Sequence, residues 1–206
     1  MFSFDLSRIL LNLPIILIAI TLHEFSHAYS AFLLGDPTAK HYGRLTLNPI
    51  SHIDITGFLL LAFAGFGWAK PVPIDPNNFK KRKLGYFIVS IAGPISNILL
   101  AIIFTILLGI QIKFIDSVII NNIISYGIII NIVLAIFNLF PIPPLDGSKL
   151  LLILLPSRFE EKYYHIQKYS YIFLFILIYF RVIDKVLYPI VNYLIGLLSH
   201  VVMIIV

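Results

Sequence analysis

Residues His23-Glu24-Phe25-Ser26-His27 set two imidazoles and a carboxylate at a spacing suited to metal-assisted hydrolysis. Positions four apart share one face of a helix, so neutral His23 and His27 can hold a zinc ion, with Glu24 beside them as general base toward the water such a metal activates. The pentapeptide sits inside an apolar run, residues 9 to 34, long enough to cross a bilayer. A catalytic zinc takes three protein ligands and keeps one position open. With no cysteine in the chain, the third ligand has to be a histidine or a carboxylate.

Of the ten acidic residues, only Glu24 and Asp146 lie deep within apolar stretches, where carboxylates are costly and usually functional. Asp146 is therefore the candidate third ligand. The competing reading is an ion pair with Lys149, three residues on and on the same helical face. Asp146 ends the run Asn138-Leu139-Phe140-Pro141-Ile142-Pro143-Pro144-Leu145, whose prolines no unbroken helix tolerates. Backbone that leaves helical geometry at membrane depth must be buried in protein or line a wet cavity. Asn97 and Asn138 are amides in otherwise apolar spans, candidates to donate to an oxyanion, to a substrate backbone or to a zinc ligand. Interhelical hydrogen bonding explains them equally well. His52 is a candidate for a place behind the ligands or at a substrate gate, against the plainer reading of a solvated loop histidine. His41, His165 and His200 stand alone and are assigned no site.

The elements that must position these residues belong to a membrane protein. Of 206 residues 59% are hydrophobic and 12% charged, and the mean hydropathy is +0.96, outside the range of ordinary soluble domains. The expected fold is an all-α polytopic bundle of five to six transmembrane helices, from apolar stretches at 9–34, 84–110, 118–155, 169–183 and 186–206. Residues 55–69 read as a partly inserted segment, and 43–76 as a whole as a short re-entrant or extended one. The chain reads as one membrane-embedded unit, with a catalytic core at about 9–155 and accessory helices at about 169–206. The N-terminal run carries the histidines and is expected to be retained rather than cleaved.

The net charge of +5 reflects loop basicity and gives no case for nucleic acid. Lys40, Arg44, Lys70, Lys80, Lys81, Arg82 and Lys83 cluster in two connections, which the positive-inside bias assigns to the cytoplasm of a cell-membrane protein. Threading five spans from there puts Arg158, Lys162 and Lys168 inside, Arg8, Lys113, Arg181 and Lys185 on the other face, and the C-terminal end inside. On that frame His27, Asp146 and the segment Gly93-Pro94-Ile95-Ser96-Asn97 fall at similar depth near the cytoplasmic side.

Taken together, the motifs resemble the site-2 protease family of intramembrane zinc metalloproteases in its small bacterial form, without the PDZ or CBS domains of larger relatives. The resemblance covers about residues 12 to 155. It rests on His23-Glu24-x-x-His27, Asn48-Pro49-Ile50-Ser51-His52-Ile53-Asp54, Gly67-Trp68-Ala69-Lys70-Pro71-Val72-Pro73, Gly93-Pro94-x-x-Asn97 and Asn138-x-x-Pro141 leading to Leu145-Asp146-Gly147. It implies one zinc on His23, His27 and Asp146, Glu24 as catalytic base, Asn97 and Asn138 near the active site, and cleavage of transmembrane protein substrates toward the cytoplasmic side of the bilayer. Residues 43–76 are then expected to offer an extended edge to an unwound substrate strand. The competing functions are a divalent metal or proton transporter using the same His/Glu/Asp cluster, and a catalytically idle scaffold.

Overall fold

A computed structural model of the chain describes residues 6–64, 67–154, 163, 165, 167 and 169–206. Eight helices are named here: α1 (Leu6–Leu33), α2 (Thr38–His41), α3 (Ile55–Ala64), α4 (Arg82–Phe114), α5 (Val118–Asn138), α6 (Asp146–Leu154), α7 (Ser170–Tyr179) and α8 (Val182–Ile205). Among the described residues the sole β pairing is an isolated antiparallel bridge between Ile53 and Ala69. The protein is an all-α polytopic membrane protein. Among the described residues four helices, α1, α4, α5 and α8, are long and apolar enough to cross a bilayer.

The central element is α4, 33 residues or about 50 Å of helix. Its buried face recurs at every fourth position: Gly85, Val89, Gly93, Asn97, Ala101, Thr105 and Gly109. Between membrane helices, where lipid is as apolar as the packing face, small side chains allow the backbones to approach closely. Each position meets a different neighbour. A Cβ on Gly85 would run into the Phe79 ring, and one on Gly109 into Ile205 at the far end of α8. Between them, Ala101 packs with Ile128 and Ile132 of α5 and Val191 of α8.

These contacts set the direction of α8. Ile183, at its start, packs with Leu145 beside Asp146, whereas Ile205 meets Gly109 and accepts a hydrogen bond from Lys113 at 2.7 Å. Thus α8 runs in the same direction as α4. The stretch 169–183, read from sequence as a span, holds the ten-residue α7, about 15 Å against a hydrocarbon core of roughly 30 Å. The chain turns back at Arg181, which has a left-handed φ of 55°. Arg181 and Lys185 therefore begin α8 at the end of the molecule where Asp146 lies, not on the opposite face, and the C-terminal end of α8 lies beside Lys113. Arg158, Lys162 and Lys168 fall outside the described residues.

The broken span is as the prolines require: α5 ends at Asn138 and α6 starts at Asp146. Leu145 N–H donates to Ile142 O (2.9 Å) and Ser148 N–H to Leu145 O (3.1 Å). The turn folds back so closely that a Cβ on Gly147 would overlap the Leu139 carbonyl.

Residues 43–76 divide into parts. Pro49–His52 is a 3-10 turn, Ile55–Ala64 is the short α3, and the chain from Gly67 to Asp75 is non-helical, extended at the Ala69 bridge and at Asp75. The extended part thus lies beyond α3, and residues 59 to 63 are helical rather than an edge. Lys70 N–H donates to His52 O (2.9 Å), and the Val72 side chain is buried against Ala28 of α1 and Ala39 of α2.

Asp36 ties this segment to the end of α1. It is fully buried and accepts hydrogen bonds from Thr38 N–H (3.0 Å), the Thr38 hydroxyl, Asp75 N–H (2.8 Å) and Asn78 Nδ2 (2.7 Å). Burial alone raises its pKa, but the hydrogen bonds from Thr38, Asn78 and the Asp75 backbone outweigh it and hold the carboxyl below its ordinary value. A depressed carboxyl stabilises the fold above the unfolded-state pKa, and that contribution is lost as pH falls through the folded-state value. Asp36→Ala should therefore lower stability by about 1–3 kcal/mol near neutral pH, with a smaller difference from the parent below about pH 4. Thermal unfolding in detergent at both pH values checks this.

Candidate metal centre

His23 and His27 project from one face of α1, and Asp146 from the first turn of α6, all three buried. Their candidate ligand atoms lie within 4.8 Å of one another. His23 Nε2 and His27 Nε2 are 3.1 Å apart, and Asp146 Oδ2 is 3.2 Å from the first and 3.0 Å from the second. Ligands at zinc bond lengths of about 2.0–2.2 Å in a tetrahedron stand roughly 3.3 Å apart. The observed triangle is close to that size.

The far sides of the rings explain why the near sides call for a cation. His27 Nδ1 donates to Val89 O at 2.7 Å, and His23 Nδ1 to Asn97 Oδ1 at 2.6 Å. Both partners accept only, so each neutral ring carries its proton on Nδ1 and turns a bare Nε2 lone pair toward the other ring. Two lone pairs and a carboxylate oxygen then converge with no proton between them. A zinc ion fits this donor set.

The amide on Asn97 is oriented by a chain of bonds. Asn131 Nδ2 donates to Gly127 O (2.8 Å), leaving Asn131 Oδ1 to accept from Asn97 Nδ2 (2.8 Å). Asn97 Nδ2 also donates to Ala19 O at 3.2 Å. Both of its N–H groups are spent and the residue is fully buried, so of the roles expected for it, donation to an oxyanion has no free proton. It stands behind His23 instead. Asn131 was missed in the sequence, where it is one more amide in an Ile-rich span. The available signal was its spacing, one helical turn from Gly127 and two from Asn138.

Gly93 makes the approach of α1 and α4 possible. A Cβ there would land on His27 Nε2 and come within 2.6 Å of His23 Nε2. Pro94 next to it removes the donor that Ser90 O would have in an unbroken helix, loosening the ladder beside Val89, whose carbonyl holds His27.

Asp146 joins the two readings that its sequence context left open. Oδ2 faces the histidines while Oδ1 accepts from Lys149 Nζ at 2.7 Å. Glu24 stands next to the donor set without entering it, and its Oε2 accepts from Val72 N–H at 3.1 Å. Asn138 donates to Leu134 O of its own helix (2.9 Å) and stands at a cavity wall rather than among the metal donors. His52 is fully buried at the cavity wall and is not one of the three donors, donating through Nε2 to Thr46 O at 2.8 Å.

A cavity of about 510 Å³ opens on the donor set. Its walls include Ile16, Ile20, Trp68, Val72, Asn138 and Tyr171, and Glu24 reaches it. The mix is mainly apolar with a few convergent polar groups, as in sites that bind an apolar segment and act on one polar bond in it. Trp68 leans on Tyr171 of α7 with ring centroids 5.2 Å apart.

Comparisons with known proteins agree on the chemistry. Residues 110–180, which include the turn before Asp146, match the model of peptidase family M50. YwhC of Bacillus subtilis, named as a candidate zinc metalloprotease, is 41% identical over 183 residues, covering 86% of this chain and 84% of its own length. Rip2 of Mycolicibacterium smegmatis, similarly named, is 34% identical over 140 residues, 64% of this chain and 52% of that protein. Rip2 of Mycobacterium tuberculosis H37Rv is 29% identical over 136 residues, with the same two coverages. No solved structure gives a significant match. A chain that shares 41% of its residues with YwhC over most of both lengths, and carries a buried donor set sized for zinc, belongs to the site-2 protease family, the zinc metalloproteases of peptidase family M50.

Proposed function

We propose that this protein hydrolyses peptide bonds within or near transmembrane segments of membrane protein substrates, with one zinc held by His23, His27 and Asp146 and with Glu24 as the catalytic base. The observation that carries the reading is the separation of roles around the cavity. Three donors converge on one point, and the fourth ionisable group stands beside them, tied to a backbone amide. Bound zinc supplies a Lewis acid that polarises a carbonyl and lowers the pKa of water to about 7. Glu24 has Oε2 engaged by Val72, which leaves Oε1 to take a proton from the attacking water. As water oxygen bonds to the carbonyl carbon and the C–N bond breaks, the same carboxyl delivers that proton to the leaving nitrogen. Asn138, at the cavity wall, is proposed to position substrate, and Asn97 and Asn131 to orient His23.

The extended chain at 67–75 is the proposed edge for an unwound substrate segment, because a helical substrate hides its peptide bonds in its own ladder. The bundle is proposed to act as one catalytic unit, core at about 9–155 and accessory helices at about 169–206. The active site is proposed to lie toward the cytoplasm: Lys40, Lys70, Lys80, Lys81, Arg82, Lys83, Arg181 and Lys185 flank its end of the bundle, while Lys113 marks the other. A transporter reading is less well served, since a transit site has no use for a carboxylate held out of the donor set.

Reconstituted full-length protein, assayed for zinc content and for cleavage of a transmembrane test peptide, tests the proposal. Glu24→Gln should keep about one zinc per chain and lose cleavage by at least about 100-fold; retained cleavage would refute the assignment. Asp146→Ala should weaken zinc binding outright. Asn97→Ala should lower zinc affinity by about 10- to 100-fold, with Asn131→Ala in the same direction and smaller. Gly93→Ala puts the better helix former, by about 1 kcal/mol, into a helix interior. It should nevertheless lose zinc, because its methyl group takes the space of the Nε2 atoms, and metal analysis of the purified variant decides the point.

A further inference from the structure

Arg44 is a buried cation for which neither the donor set nor the fold core has an obvious need. It follows α2, where its backbone N–H is fixed by Ala39 O at 2.8 Å. Its guanidinium donates to the carbonyls of two consecutive residues of the extended chain, Lys70 and Pro71, the second at 3.2 Å. It also points Nη2 at His52 Nδ1, 3.5 Å away. Because His52 donates through Nε2 to Thr46 O, its Nδ1 presents a lone pair to the guanidinium. Among the described residues Arg44 has no carboxylate at ion-pair distance, and the anionic charge that acts on it is that of Glu24. A buried cation without a paired anion is costly. Here two neutral carbonyls and an imidazole face its Nη groups while Nε has no partner, and both carbonyls belong to the chain that passes Glu24.

The next residue along that chain is Val72, whose N–H holds Glu24 Oε2. A planar fork on the Lys70 and Pro71 carbonyls fixes the orientation of the Lys70–Pro71 peptide group and of the next one, which carries that amide, something a single point donor cannot do. We infer that Arg44, braced by His52, is a positioning residue for Glu24: its guanidinium sets the Lys70–Pro71 peptide planes so that the Val72 N–H holds the carboxylate in place beside the cavity. The inference rests on Glu24 being the base. It gives His52 a role behind the Lys70–Pro71 segment, and explains a buried arginine that touches no metal-site residue.

The test uses the full-length chain in proteoliposomes, with the transmembrane test peptide and the variants Arg44→Ala and Arg44→Lys. In both, kcat should fall by about 10- to 100-fold, the cost of small misplacement of a reacting group. Zinc content should stay at the parent level and KM should change less than kcat. Added guanidinium ion should restore part of the cleavage by Arg44→Ala and none of that by Glu24→Gln. Hydrogen exchange at the Lys70 and Val72 amides should quicken while α1 stays protected. Arg44→Lys retains a buried cation and guards against loss of the fold. Parent-like kcat in a folded Arg44→Lys, zinc lost in step with activity, or failure of both variants to fold would each overturn the inference. If the parent protein cuts no peptide, or Glu24→Gln still cuts, the protease assignment fails separately, and faster exchange at Val72 in Arg44→Ala still decides whether Arg44 holds that amide.

Discussion

Two unprotonated imidazole nitrogens and a carboxylate oxygen, held about 3 Å apart where water is scarce, repel one another unless a cation lies between them. Much of the architecture can be read as the apparatus that imposes this repulsive arrangement. Each ring is pinned on its far side by a carbonyl acceptor, so rotation or tautomer exchange would leave a buried N–H or carbonyl unsatisfied. The carboxylate is pinned by Lys149 through its other oxygen. The backbone of α4 is stripped of side chains at Gly93, where the two nitrogens come closest to it. Binding energy for a metal is thus stored in advance as donors that have nowhere else to go.

The proposed base is organised by a different principle. Glu24 is adjacent to His23 in sequence but is governed by the extended chain at 67–75, which reaches it from across the molecule. That chain is itself tethered at several points: to His52 O through Lys70, to the α1–α2 connection through Asp36 and Asp75, and to α1 and α2 through the Val72 side chain. The three candidate metal donors depend on helices, whereas the placement of Glu24 depends on an irregular segment held by side chains. The region 36–54 therefore connects to Glu24 through that chain without touching the three donors.

Much of this was legible in the sequence, because intramembrane chemistry leaves few residues to choose from. His23, Glu24, His27 and Asp146 stood out as ionisable groups in hydrocarbon, and the prolines before Asp146 announced a break that the structure puts between Asn138 and Asp146. What escaped reading was set by tertiary geometry. Asn131 looks like any amide in an apolar helix until its hydrogen bond to Asn97 is seen. Residues 169–183 are as apolar as a span, but apolarity does not say that a chain will turn back at Arg181, so the direction of α8 was misread. In the 43–76 segment the Gly and Pro content signalled irregularity without saying which part would be helical and which extended.

The four-residue recurrence along α4 has a consequence for how this chain can vary. A residue four places on is turned by about 40° relative to the first, so the face winds steadily around the helix as it rises. It meets Phe79, then the two histidines, then Asn131, then the core shared with α5 and α8, and last Ile205. These neighbours share one screw axis. A substitution on that axis disturbs a single contact, but one inserted or deleted residue would rotate everything beyond it by about 100° and carry it along by about 1.5 Å. The helix is in effect a threaded rod: length changes can be absorbed in the connections on either side of it, while within it the pitch has to be kept.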